Sequence, residues 1–210
     1  MISPLSVATS LLLATSIFAQ ESWQDVSLFA RSQHAMASDV ANQRLVLFGG
    51  AIGVSRLDDT REWDGSQWTL RQLVVRPPAR MSHAMTYDST RRQVLLFGGD
   101  GSTGPLGDTW GWNGAAWTQL ATSGPPPLLE SGLAFDASRQ RAVLFGGIDN
   151  GVPSNQTWEW DGSTWQQRFP ANSPPARWSH GLVYDPTRQR TILFGGRFNH
   201  TDTWEWDGTD

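Results

Sequence analysis

The phrase LFGG stands at residues 47–50, 96–99, 144–147 and 193–196, so one element returns after 49, 48 and 49 residues. A fixed period of this length marks a chain assembled from copies of one supersecondary unit. Asp39, Asp88, Asp136 and Asp185 keep step with the phrase, each eight residues before its leucine. Upstream, RSQHAMASD (31–39), RMSHAMTYD (80–88), LLESGLAFD (128–136) and RWSHGLVYD (177–185) align. Downstream, TWGWNGAAW (109–117), TWEWDGSTW (157–165) and TWEWDG (203–208) do the same.

The unit at 80–121 shows what each copy contains. In MSHAMTY, Met81, His83, Met85 and Tyr87 alternate with Ser82, Ala84 and Thr86, which is the two-residue period of a strand. QVLLFGG is a continuous apolar run, as in a strand covered on both faces, and it ends on two glycines where bare backbone can approach a neighbour. DTWGWNG and AAWTQLA are joined through Asn113-Gly114, and Asp64-Gly65, Asp161-Gly162 and Asp207-Gly208 hold the equivalent place, predicting a tight hairpin with positive φ angles. Four strands per period of this length predict an all-β fold, a β-propeller of four blades with four antiparallel strands each. The units run over about 31–73, 80–121, 129–169 and 177–208. The tryptophans then read as wedge fillers between blades, since each buries on the order of 150–250 Å² and a single ligand platform needs no copy in every repeat.

A double glycine closing an apolar strand, then an aromatic, six residues and a tryptophan, closely resembles the kelch repeat. The aromatic pair is Trp110 and Trp117 in the second unit and Trp158 and Trp165 in the third, while in the first unit Arg61 stands in the leading place before Trp68. The resemblance covers 31–208 and implies a kelch-type propeller whose first strands line a channel and whose loops bind; it implies no reaction. The fourth unit stops after its third strand and turn, and ESWQDVS (21–27) parallels the missing piece, SWQDV matching TWQQR (164–168). Two readings follow: Trp23 closes a four-blade ring from the opposite terminus, or the chain is a fragment of a larger propeller.

Composition bounds the function. The net charge is -4 and the arginines are scattered singly, which argues against a nucleic-acid partner. All basic side chains are arginine, excluding a Schiff-base or P-loop lysine. There is no cysteine, so disulfides, thiolate nucleophiles and cysteine-ligated metals are absent. Residues 1–19 carry no charge and end in LLLATSIFA, which predicts a signal peptide cleaved after Ala19, a mature domain over 20–210, a secreted or periplasmic location, and no membrane insertion of the mature chain.

Candidate binding residues fall in two sets. Arg31, Arg80 and Arg177 each precede a histidine by three residues, His34, His83 and His180, and converging on a channel they suit an anionic sugar. Leu128 and Ser131 break the set in the third unit, which favours a structural role in which arginines pair with repeat aspartates such as Asp88; no metal site is expected. Glu130 departs from the serine at the matching Ser82 and Ser179. Glu62, Glu159 and Glu205 read as a solvated strand edge. The variable loops after the double glycines, with Asp100, Asp149 and Asn199, form the expected binding rim. The expectation is a non-catalytic module for protein or glycan, without cofactor. The alternative is a carbohydrate-active kelch enzyme: the copper galactose oxidase type needs a cysteine-crosslinked tyrosine and fails, whereas a sialic-acid isomerase type would use Arg80, Arg177 and Glu130.

Overall fold

The computed structural model describes residues 30–197 and 199–209, all strand, turn and loop with no helix. The leader expected at 1–19 and the closing strand expected at 21–27, with Trp23, lie outside the described residues. Three four-stranded antiparallel sheets follow one another, and each is a simple meander. Blade 1 holds Ala35–Asp39, Arg44–Phe48, Thr60–Trp63 and Trp68–Arg71; blade 2 holds Ala84–Asp88, Gln93–Phe97, Thr109–Trp112 and Trp117–Ala121. Blade 3 holds Gly132–Asp136, Arg141–Phe145, Thr157–Trp160 and Trp165–Arg168, and blade 4 shows Gly181–Asp185, Arg190–Phe194 and Thr203–Trp206. The first strands of successive blades pack side by side and line a common channel.

The second strands are the core, as their unbroken apolar runs require: Val46, Phe48, Val94, Leu95, Leu96, Phe97, Ala142 and Leu144 are buried. Trp112, Trp117 and Trp160 are buried among them, in the space between blades. Each first hairpin turns through four residues on its recurrent aspartate. Asp88 Oδ1 accepts the amides of Thr90 and Arg91, and Asp136 Oδ1 those of Ser138 and Arg139. A side chain that satisfies turn amides stands in for the missing strand partner, which is why aspartate keeps the period.

Three local expectations are corrected. The first strand does not run through 81–87: Arg80–Met81 pairs with Asp100–Gly101, Ser82 turns left-handed at φ 55°, and the blade strand begins at Ala84. The third hairpins are four-residue loops in which only the glycine has positive φ; Asp64 keeps ordinary φ and binds the amides of Ser66 and Gln67 with Oδ1. Glu62 and Glu159 are not a solvated edge but are buried. Glu62 Oε1 accepts the Trp112 indole N–H at 3.2 Å and Glu159 Oε1 that of Trp206 at 2.9 Å, each from the following blade.

Inter-blade contact explains the double glycines. Gly49 donates its amide to Asp59 O, while Gly50 donates to Arg80 O of the next blade at 2.9 Å. Both have positive φ, and a Cβ on Gly49 would lie 2.6 Å from Arg80 O. Only glycine lets the two backbones meet there.

Candidate functional site at the channel mouth

Arg80 is fully buried, and its guanidinium grips Asp108 with two prongs at 2.7 and 2.9 Å while donating to Gly98 O and Pro78 O. Arg31 holds Asp59 and Arg177 holds Asp202 in the same way. The expected partner Asp88 instead pairs with Arg91, because it is occupied in its own turn. Burial alone would raise the Asp108 carboxyl, but the bonds and charge of Arg80 carry it below the usual carboxylate range. In blade 3 both partners change together: Leu128 replaces the arginine and Gln156 the aspartate, and Gln156 Oε1 still accepts the Trp158 N–H at 2.9 Å, as Asp108 accepts that of Trp110. These arginines therefore pin the loop before the third strand to the start of the first, and do not face the channel.

The histidines point between blades. His83 meets Phe48 edge-on at 5.6 Å and His180 meets Phe145 at 5.6 Å. Burial, reinforced by the positive charge of Arg80, pushes the His83 pKa down to about 3; burial and Arg177 push His180 down to about 4. His34 is lowered by burial and by Arg31. Neither nitrogen of His180 has a hydrogen-bond partner, while His83 turns toward the Phe48 backbone, and among the described residues no three metal-ligating side chains cluster.

What the fold brings together is a polar row. Gln33, Ser82, Glu130 and Ser179 occupy the same repeat position, all left-handed with φ of 53–55°. Their backbones form a chain around the mouth: Ser82 N donates to Gln33 O, Glu130 N to Ser82 O and Ser179 N to Glu130 O, at 2.8–3.0 Å. This ladder compensates for the cost of left-handed non-glycine residues, of the order of 1–2 kcal/mol each. The departure at Glu130 thus alters a side chain on a structurally required turn. Its carboxylate accepts the Ser179 hydroxyl, and Gln33 Nε2 donates to Ser82 Oγ at 2.9 Å. With Ser131, Arg197 and the histidines these residues line an open mouth of about 390 Å³.

Three of the four loops after the double glycines fold as short hairpins on this same rim, Ala51–Ile52 with Ser55–Arg56, Asp100–Gly101 with Gly104–Pro105, and Ile148–Asp149 with Val152–Pro153. Asp100 is engaged by Arg56 of the preceding hairpin. The Asp149 carboxylate accepts the Asn150 amide, and Asn199 is exposed with φ 59°. Sequence reasoning passed over the tips: Val54 is 93% and Val152 65% exposed, with Ile52 beside Val54 also exposed. The missed signal was an apolar residue next to the loop glycine, Val54 after Gly53 and Val152 after Gly151.

The family model for the KLHDC2/KLHL20/DRC7 Kelch-repeats domain matches residues 59–207. A match over that share of the sequence, on a structure of repeated four-stranded antiparallel sheets, places the chain in the kelch-repeat family of β-propeller repeat proteins. No curated protein sequence matches it. Kelch repeats generally mediate protein–protein interaction. No helix among the described residues is long and apolar enough to cross a membrane.

Proposed function

We propose that this chain is an exported, non-catalytic interaction module that takes a protein partner on the hairpin rim around the channel mouth. One observation carries the reading: aliphatic tips at Ile52, Val54 and Val152 stand in water on the same rim as the polar row of Gln33, Ser82, Glu130 and Ser179. Exposed apolar side chains bounded by polar groups are the composition of a protein-binding patch, whose centre loses water while its rim keeps hydrogen bonds. Glu130 and Arg197 add one charge of each sign at the mouth. The isomerase alternative asks for Arg80 and Arg177 in the channel, but both guanidinium groups are turned away from it and committed to Asp108 and Asp202.

The test couples cross-linking to substitution. The chain and its Val54→Glu/Val152→Glu variant are exposed to the proteins exported by the source cell, and cross-linked peptides are mapped. Cross-links concentrated on the hairpins, and lost in the variant, support the reading. Cross-links on the outer fourth strands refute it, as does a glycan array on which the chain binds or turns over a sugar while proteins leave it untouched.

A further inference from the structure

Each blade opens on the same set of positions, and the charge of that set balances in every blade but one. Blade 1 sets Arg31 against Asp59, with Gln33 two residues beyond the arginine; blade 2 sets Arg80 against Asp108, with Ser82; blade 4 sets Arg177 against Asp202, with Ser179. In each of these the arginine and aspartate cancel, and the third residue is neutral. In blade 3 the pair becomes Leu128 and Gln156, both uncharged, while the third residue becomes Glu130. The blade 3 set therefore keeps one unbalanced negative charge.

That charge lines the mouth of about 390 Å³. Glu130 is half-buried, and among the described residues its carboxylate enters no ion pair and accepts only the Ser179 hydroxyl. A carboxylate offers about four lone-pair sites, so most of its acceptor capacity is unspent. The neighbouring arginines do not answer it, since Arg80 and Arg177 are bound to their aspartates. His83 and His180, in the seams between blades, stay uncharged at neutral pH, because burial and the adjacent arginine hold their pKa values at about 3 and about 4. Arg197 also lines the mouth, but it is exposed, where water and salt screen its charge. Glu130 is instead fixed in place by its left-handed turn and by the backbone ladder to Ser82 and Ser179. The bridge between Leu129 and Ile148 sets the hairpin that carries Asp149 beside it, and the Asp149 carboxylate meets only the Asn150 amide.

We propose that the mouth seats a basic side chain of the partner, arginine or lysine, with Glu130 as its counter-ion. This rests on the reading of the rim as a protein-binding face and states the chemistry of the segment that docks there: a cation at the centre with apolar residues beside it. Gln33 spends its amide N–H on Ser82 Oγ, which leaves its side-chain carbonyl as a further acceptor along the row. A row of acceptors around one carboxylate is the complement of a group that only donates, as ammonium and guanidinium do. Ile52 and Val54 on the hairpin of blade 1 and Val152 on that of blade 3 stand around the mouth to cover the apolar neighbours. Their burial excludes water from the ion pair and strengthens it.

Selection from a phage-displayed library of random linear peptides on the purified chain tests this, with Glu130→Gln and Val54→Ser/Val152→Ser as the discriminating variants. Glutamine already holds the same left-handed position at Gln33, so Glu130→Gln should keep the thermal midpoint of the parent. Peptides selected on the parent should be enriched, relative to the unselected library, in arginine or lysine next to aliphatic residues. Titrated as synthetic peptides by fluorescence polarisation, they should bind Glu130→Gln about tenfold more weakly or worse, and bind the parent more weakly as salt is raised. Peptides without basic enrichment, or peptides that bind Glu130→Gln as tightly as the parent, overturn the inference; if they still lose affinity for Val54→Ser/Val152→Ser, the rim reading stands without it. Basic peptides that need Glu130 but bind the serine variant undiminished support the counter-ion and refute the apolar rim. A library that returns no binder overturns the inference, since a seat for a cation between apolar contacts should capture some linear segment.

Discussion

Replacing Arg80 by leucine tests the claim that the arginine–aspartate pairs are structural pins, and blade 3 supplies the control. Arg80 is fully buried and makes four hydrogen bonds, two to Asp108 and one each to Gly98 O and Pro78 O. Without it the Asp108 carboxylate keeps only the Trp110 N–H, at 2.6 Å. Stranding one member of a buried pair costs about 3–5 kcal/mol, against a total stability of roughly 5–15 kcal/mol for a domain. Arg80→Leu should therefore remove a large part of the stability. The double variant Arg80→Leu/Asp108→Gln copies the Leu128 and Gln156 arrangement of blade 3, where the glutamine still accepts the strand-three indole N–H. Replacing both partners leaves no uncompensated charge, so the double variant should recover most of the loss and lie within about 1–2 kcal/mol of the parent. Urea unfolding followed by tryptophan fluorescence reads the midpoints, with an unchanged slope as the check that the same surface unfolds. The reasoning fails if the single substitution costs under about 1 kcal/mol, or if the double variant is no better than the single.

Further outcomes follow from the same seams. Gly98→Ala puts a Cβ 2.6 Å from Leu128 O at φ +68°, so it should lower stability by about 2 kcal/mol or more, while Gly53→Ala, with φ +59° and open space around it, should cost only about 1 kcal/mol; thermal melts compare them. Trp112→Phe leaves buried Glu62 short of a donor, whereas the Trp160 N–H has no partner, so Trp112→Phe should cost about 1–2 kcal/mol more than Trp160→Phe in parallel urea titrations. His83 binds its proton far less readily folded, with a pKa of about 3, than unfolded, near 6.5, so its contribution is complete above pH 6.5 and is lost as pH falls through that window. The loss is about 1.4 kcal/mol per pH unit, and His83→Gln should flatten the stability profile between pH 6 and 4.5 by up to that slope. An unchanged slope would show that the buried imidazole is not what titrates.

Much of the scaffold is legible in the bare sequence, because a repeat multiplies weak local signals. The spacing of LFGG, the aspartate of each first turn and the glycine of each third turn all reappear in the observed strand order. What was misread lies wherever one blade touches the next. Both Asp88 and Asp108 precede an apolar or aromatic strand, and only the pairing of Phe97 with Thr109 shows that Asp108 reaches Arg80 while Asp88 is spent in its own hairpin. Glu62 and Glu159 look like surface carboxylates along their own strand, and they are buried because a neighbouring blade lays an indole on them. Glu130 stood out as a broken pattern, but its left-handed place in the mouth ladder is invisible until three blades are assembled. Sequence alone determines the period, the strands and the turns, since these rest on contacts within a few residues. Only the tertiary structure decides which charges are pins and which histidines lie dry between sheets, because desolvation depends on what arrives from the adjoining blade.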